Sequence, residues 1–168
     1  MTQSIQWLVL ALFGGLMTAA AFEDFRRYMI PNRLTAALCL LWPAYFATAP
    51  SLWGALAAVG CGLAVFAVGA LLFARGYVGG GDVKLLAAAA LWAGPSATAA
   101  LLIVTALLGG VLALALWSPI GAHVIGVARG MFGPPAPEPQ IGSSSAPVPY
   151  GVAIAGAALI VVLTPHLG

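Results

Sequence analysis

Acidic side chains are scarce in this chain, four in 168 residues, so the places where they fall carry information. Glu23 and Asp24 close an apolar run that begins at about Ile5, and Asp82 follows Gly79-Gly80-Gly81 directly before another apolar run. An ionisable group at the edge of a hydrocarbon layer is costly unless it is paired or wetted, and so points to function. If Asp24 and Asp82 meet, the two carboxyls cannot both ionise comfortably and share a proton. One then acts as base on a water and the other as acid toward a carbonyl, which is the chemistry of aspartic proteases. Asp82 opens a helix and Asp24 ends one, an arrangement that favours Asp82 as the base. Arg26 and Arg27 act against that division, and a coupled pair titrates as a unit, so the roles stay open. The three glycines fit the same chemistry: they remove side chains where a substrate backbone must come close, and they permit positive φ.

The elements that must bring these carboxyls together follow from composition. Hydrophobic residues make up 62% of the chain and charged ones only 6%, against roughly 25% charged in an ordinary soluble domain. That excludes a soluble globule and predicts an all-α, polytopic bundle in a lipid bilayer, one transmembrane domain over residues 1–168. The net charge is +2, with no basic cluster able to neutralise a row of phosphates, so nucleic acid is not expected as a partner.

Apolar runs cover Ile5 to Phe22, Leu34 to Thr48, Leu52 to Ala74, Leu85 to Ala93, Ala97 to Trp117 and Tyr150 to Leu163, with a turn at Pro50-Ser51 and a break at Gly94-Pro95. The first run competes with a signal peptide, since Ala19-Ala20-Ala21 looks like a cleavage site, but no Lys or Arg precedes it. The stretch from Val83 to Ala93 rises only about 17 Å as a helix, short of a roughly 30 Å core. Either its helix starts deep in the protein near Asp82 or the piece is re-entrant, and in both cases Gly79 to Asp82 must line a covered or water-filled place. Ser118 to Phe132 is weakly amphipathic and either extends the preceding helix or lies at the interface. Gly133 to Pro149 is a Pro/Ser/Gly loop.

About six spans place all six basic residues, Arg26, Arg27, Arg33, Arg75, Lys84 and Arg129, on one side. The positive-inside rule makes that side cytoplasmic and leaves the N-terminus outside with Thr48 to Ser51 and Gly94-Pro95. Glu23, Asp24 and Asp82 then share the cytoplasmic face.

Other residue types have plainer readings. Asp24 with its arginines is also an ordinary juxtamembrane charge cluster, and Gly-Gly-Gly-Asp is also a flexible loop with a helix-starting Asp. Lys84 and Arg75 read first as topology determinants, Glu23 as a stand-in for Asp24 that faces water. His123 and His166 lie far apart in different environments and are not expected as ligands; no metal and no cofactor is expected. Cys39 and Cys61 read as small packing residues. Trp7, Trp42, Trp53, Trp92 and Trp117 lie mostly near span ends, as interfacial anchors do. Gly60 to Ala64 and Gly69 to Phe73 are small-residue patterns that permit close helix packing.

Three segments, in order and spacing, resemble the type IV prepilin peptidases: Asp24-Phe25-Arg26-Arg27-Tyr28-Met29-Ile30-Pro31-Asn32, then Gly79-Gly80-Gly81-Asp82-Val83-Lys84, then Pro149-Tyr150-Gly151-Val152-Ala153. The resemblance implies an aspartic endopeptidase of the inner membrane that removes the short leader from prepilin-like proteins at the cytoplasmic face. Asp24 and Asp82 fall on the family's two catalytic aspartates, and Gly79 and Gly81 on the glycines of its second motif. Gly80, Lys84, Arg26, Pro31, Asn32, Pro149, Tyr150 and Gly151 come with the motifs as supporting or substrate-binding candidates. Larger members carry a cytoplasmic insert between the first two spans, often with paired cysteines, and a linked methylating activity. Here about a dozen residues separate those spans and no Cys-x-x-Cys exists, so methylation is not expected.

The compact form is similar to the stand-alone peptidases of Flp/Tad pilus systems or their archaeal preflagellin relatives. Such a substrate has a basic leader and an apolar helix that would lie against the bundle in lipid; other pilus-assembly components are further candidate partners. The loop ending at Pro149-Tyr150-Gly151 returns to the same face and is a candidate wall or flap of the site, with a plain interhelical loop as the alternative. A rival from another class is a proton- or ion-coupled transporter, since paired carboxylates beside a broken helix also serve ion pathways. Against it, the chain shows no internal repeat and the acids sit at one face. A non-catalytic subunit of a secretion complex is the third reading, and it predicts that the aspartates can be lost without effect.

Overall fold

The computed structural model describes residues 2–48, 51–132 and 148–164. They form helices α1 (Thr2–Arg27), α2 (Asn32–Phe46), α3 (Leu52–Ala74), α4 (Gly80–Trp117), α5 (Pro119–Phe132) and α6 (Tyr150–Leu163), and no strand occurs among them. By length and composition α1, α3 and α4 can each cross a membrane. The chain is therefore an all-α membrane protein. Pro50, His166 and most of the Gly133 to Pro149 loop lie outside the described residues.

The break expected at Gly94-Pro95 is a hairpin within α4. Gly94 adopts φ 64° and ψ −174°, a conformation open to glycine and strained for other residues, and Pro95 cannot donate to the preceding turn. A straight helix would put Asp82 and Ala106 roughly 36 Å apart, yet Asp82, Val83 and Leu86 line one crevice together with Leu102, Thr105 and Ala106. The limbs 80–93 and 95–117 therefore lie side by side and antiparallel. The short first limb is helical from Gly80 onward, two residues before Asp82.

Small residues let the other helices close on this hairpin. Gly62 and Gly69, seven residues apart and so on one face of α3, meet the first limb: a Cβ on Gly62 would lie 3.2 Å from the Ala87 carbonyl, and one on Gly69 would lie 2.7 Å from Val83. Of the small-residue positions singled out on α3, Gly60 instead faces open space. Helix α6 is buried at Gly151, Ala153, Ile154, Ala155, Ala157, Ala158 and Val162, a run of small side chains that brings α1 and the second α4 limb close. Its antiparallel course against α1 sets Gly14 beside Leu159 and Gly151 beside Asp24.

One alternative is closed and two expectations are corrected. Residues 119–132 do not extend α4. Ser118 is extended at ψ 138° and its hydroxyl accepts from the Gly121 N–H at 3.0 Å, so a separate helix starts there. Trp92 is no interfacial anchor: it is 4% exposed, its ring centroid lies 4.4 Å from that of Phe13 in a tilted contact, and it donates its indole N–H to the Leu38 carbonyl at 3.0 Å. Cys39 is exposed, not packed in the core.

Candidate active site

The turn between α1 and α2, the turn between α3 and α4 and the start of α6 contribute to a single cavity. Helix α1 stops because Tyr28 takes φ 52° and its N–H donates to the Asp24 carbonyl at 2.8 Å, a left-handed cap that glycine usually fills. Pro31, extended at φ −62° and ψ 133°, then starts α2. Helix α3 ends in a Schellman turn. Gly76 at φ 77° donates to the Phe73 carbonyl, and Tyr77 to that of Leu72, at 2.9 and 3.0 Å. The chain leaves that turn through Tyr77 and Val78 and enters α4 at Gly79.

Between these turns lies a cavity of about 640 Å³ lined by Asp24, Asn32, Gly79, Gly80, Gly81, Asp82 and Tyr150, together with Tyr28, Met29, Ile30, Tyr77, Val78 and Val148. The two aspartates, 58 positions apart in the chain, are close enough to feel each other's charge. Their surroundings differ. Asp24 is 5% exposed, and its Oδ2 accepts the Gly151 backbone N–H at 2.7 Å. Asp82 is half-buried and has no hydrogen-bond partner of its own among the described residues. The Gly151 N–H thus ties the Asp24 carboxyl to the start of α6.

The glycines do more for the fold than the sequence alone implies. A Cβ on Gly79 would lie 2.8 Å from Asp82 Oδ2, and one on Gly151 would lie 2.8 Å from both Cγ and Oδ2 of Asp24. Each aspartate therefore packs against a glycine that no side chain could replace without displacing the carboxyl. On Gly80 the Cβ would meet the Phe73 ring at 3.2 Å, and on Gly81 it would meet Ile30 at 3.3 Å. The bare backbone here faces the protein's own groups as well as the cavity.

Other candidates stand beside the cavity. Lys84 donates its ammonium to Asn32 Oδ1 at 3.0 Å, tying the start of α4 to the start of α2. The Arg26 guanidinium carbon lies 5.2 Å from the centroid of the Phe22 ring. Glu23 pairs with Arg27 at 3.5 Å and, with Pro31, borders a separate crevice. Pro149 is buried and precedes the first turn of α6, where it helps set Gly151 against Asp24. Tyr28, Met29, Tyr77 and Val78 were not singled out from the sequence as site residues. The one usable signal was Gly76 just past an apolar run, which marks a C-cap and predicts that the next residues turn back. Among the described residues no cluster of His, Cys, Asp and Glu fits a metal ion.

A family model described as the type IV leader peptidase family matches residues 11–114. The matched segment holds both aspartates and the three glycines, and it stops short of Gly151. No curated protein and no solved structure matches the chain.

Proposed function

The chain belongs to the type IV leader peptidase family, and so is a membrane-bound peptidase; from that premise we propose that Asp24 and Asp82 hydrolyse the leader from a Flp-type prepilin at the cytoplasmic membrane face. One observation carries this reading. The two aspartates come from helices far apart in sequence and line one cavity, and the apolar bundle below it could seat the substrate's helix.

The chemistry needs one proton on the pair. The ionised carboxylate removes a proton from a water whose oxygen attacks the scissile carbonyl carbon. The protonated carboxyl gives its proton to the carbonyl oxygen, and a tetrahedral diol results. The first carboxyl then passes its new proton to the leaving nitrogen as the C–N bond breaks, while the second, now ionised, takes a proton back from one diol hydroxyl, whose oxygen becomes the carbonyl of the product acid. The pair again holds a single proton. Gly151 fixes Asp24 through Oδ2, which leaves Asp82 as the member free to reorient on substrate. The opening is lined by Tyr28, Met29 and Tyr77, apolar surfaces suited to an extended peptide, and the basic end of the bundle at Arg26, Arg27, Arg33, Arg75 and Lys84 supports a cytoplasmic orientation.

The test is cleavage of a Flp-type prepilin by the purified full chain, read as a gel shift with N-terminal sequencing of the product. Wild-type cleavage with none from Asp24→Asn or Asp82→Asn establishes the mechanism. Normal cleavage by both variants removes it.

A further inference from the structure

A second crevice opens from the aspartate cavity, and three residues, Val78, Asp82 and Tyr150, line both. It lies among α3, the two limbs of α4 and the first turns of α6 and holds about 240 Å³. That is well above the roughly 30 Å³ of one water and below the roughly 300–1,000 Å³ of a small-molecule pocket. It has room for one large side chain. From Asp82 it runs toward Leu86 and Leu102, deeper into the apolar part of the bundle, and Thr105 stands in its wall.

Thr105 is the unusual member. It is 8% exposed, and its hydroxyl is buried without a hydrogen-bond partner among the described residues. Three other helical or helix-ending threonines, Thr18, Thr98 and Thr164, donate to the carbonyl four residues earlier. The same carbonyl, that of Leu101, is within the helix of Thr105, which does not use it. A hydroxyl left unpaired in an apolar crevice is unfavourable, so its persistence is explained by a polar group that arrives with a ligand.

The geometry points to this crevice as the subsite for the first apolar side chain on the C-terminal side of the cut, with the Thr105 hydroxyl bonded to the main chain of that residue. The inference rests on the proposed peptidase reading and deepens it. The crevice leads from Asp82 into the apolar part of the bundle, the direction in which the substrate's helix must lie; a basic leader would stay at the polar mouth. A peptide bond must leave its helix to be cut, and the N–H and C=O groups freed at that point need partners in a dry setting. Thr105 supplies one beside the catalytic pair.

Two variants of the full chain test this, with prepilins carrying Leu or Ala directly after the cut. Wild type is expected to favour the Leu substrate by about tenfold in kcat/KM. Ala106→Leu, at an exposed position on the wall, narrows the crevice and is expected to bring that ratio to about one. An unchanged ratio in Ala106→Leu overturns the subsite. Thr105→Val keeps the shape and removes the hydroxyl: cleavage of both substrates should fall about tenfold while the thermal midpoint holds or rises, with Thr105→Ser restoring cleavage. A purely structural hydroxyl would give the opposite pattern, a lower midpoint with unchanged cleavage per folded molecule, and that outcome overturns its role. If wild type cuts neither prepilin, the peptidase reading itself fails and the subsite with it; if wild type cuts both and the variants behave as wild type, only the subsite fails.

Discussion

At the end of the bundle where α2, α3 and the α4 hairpin turn, aromatic rings stack on one another; at the opposite end, helix termini stand around a hollow. Trp92 lies 4.4 Å from Phe13 and 5.2 Å from Tyr45 between ring centroids, and Trp42 stacks on Phe46 at 5.4 Å. The crevice near that end holds about 250 Å³, less than half of the 640 Å³ at the aspartate end. The aspartate end also holds the left-handed Tyr28, the Schellman turn at Gly76 and both aspartates. A bundle whose helices are clamped at one end can keep polar groups and open space at the other, because their positions need not be held by mutual packing. Stability and reactivity are thereby assigned to different ends.

Asp82→Asn tests that division most severely. It should lower cleavage by at least about 100-fold, while the thermal midpoint in detergent stays the same or rises, because a carboxyl beside Asp24 is lost and nothing at the stacked end is touched. A marked fall in the midpoint would show that the aspartates also hold the fold together.

Gly151→Ala comes next, since it joins the two roles. Its Cβ would lie 2.8 Å from Asp24 Cγ, so α6 must shift and the 2.7 Å hydrogen bond to Asp24 must lengthen. The expected loss is about 1–3 kcal/mol of stability and a fall in cleavage larger than that loss explains. Cleavage per folded molecule, measured beside unfolding, separates the two parts. At the stacked end Trp92→Phe should do the reverse. It removes the hydrogen bond to the Leu38 carbonyl and should lower stability by about 1 kcal/mol, leaving cleavage per folded molecule unchanged. A specific loss of cleavage would mean that the ends are coupled.

The sequence showed much of this division and hid the rest for identifiable reasons. Apolar run lengths and the side on which each charge falls were enough to set Asp24 and Asp82 at one end, and Gly94-Pro95 was readable as a break because glycine and proline change what the backbone can do. The partner of Asp24 was not readable as such: a backbone N–H belongs to every residue except proline, so nothing in the type of residue 151 announces a donor, although the motif drew notice to Gly151. Trp92 misled because a tryptophan near a span end is equally consistent with an interface and a core, and only the arrival of Phe13 and Tyr45 decides. Thr105 passed unnoticed because a threonine in an apolar helix ordinarily bonds back to its own turn.

Tyr28 gives the smallest expected effect in stability and the finest test of the comparison. A non-glycine residue in the left-handed region is unfavourable by about 1–2 kcal/mol, and Tyr28 holds φ 52° directly beside Asp24 at the cavity wall. Tyr28→Gly relieves that strain but frees the unfolded chain, which opposes the gain by roughly 0.5–1 kcal/mol; the net change in stability should be within about 1 kcal/mol of zero or slightly favourable. Cleavage should nonetheless fall several-fold, because the aromatic wall is gone. Should Tyr28→Gly be both more stable and fully active, the strain would serve only to end α1. Should it be stable and slow, the strain is what sets an aromatic ring at the mouth of the site, and the open end of the bundle is shaped at the expense of local comfort while the stacked end maintains the fold.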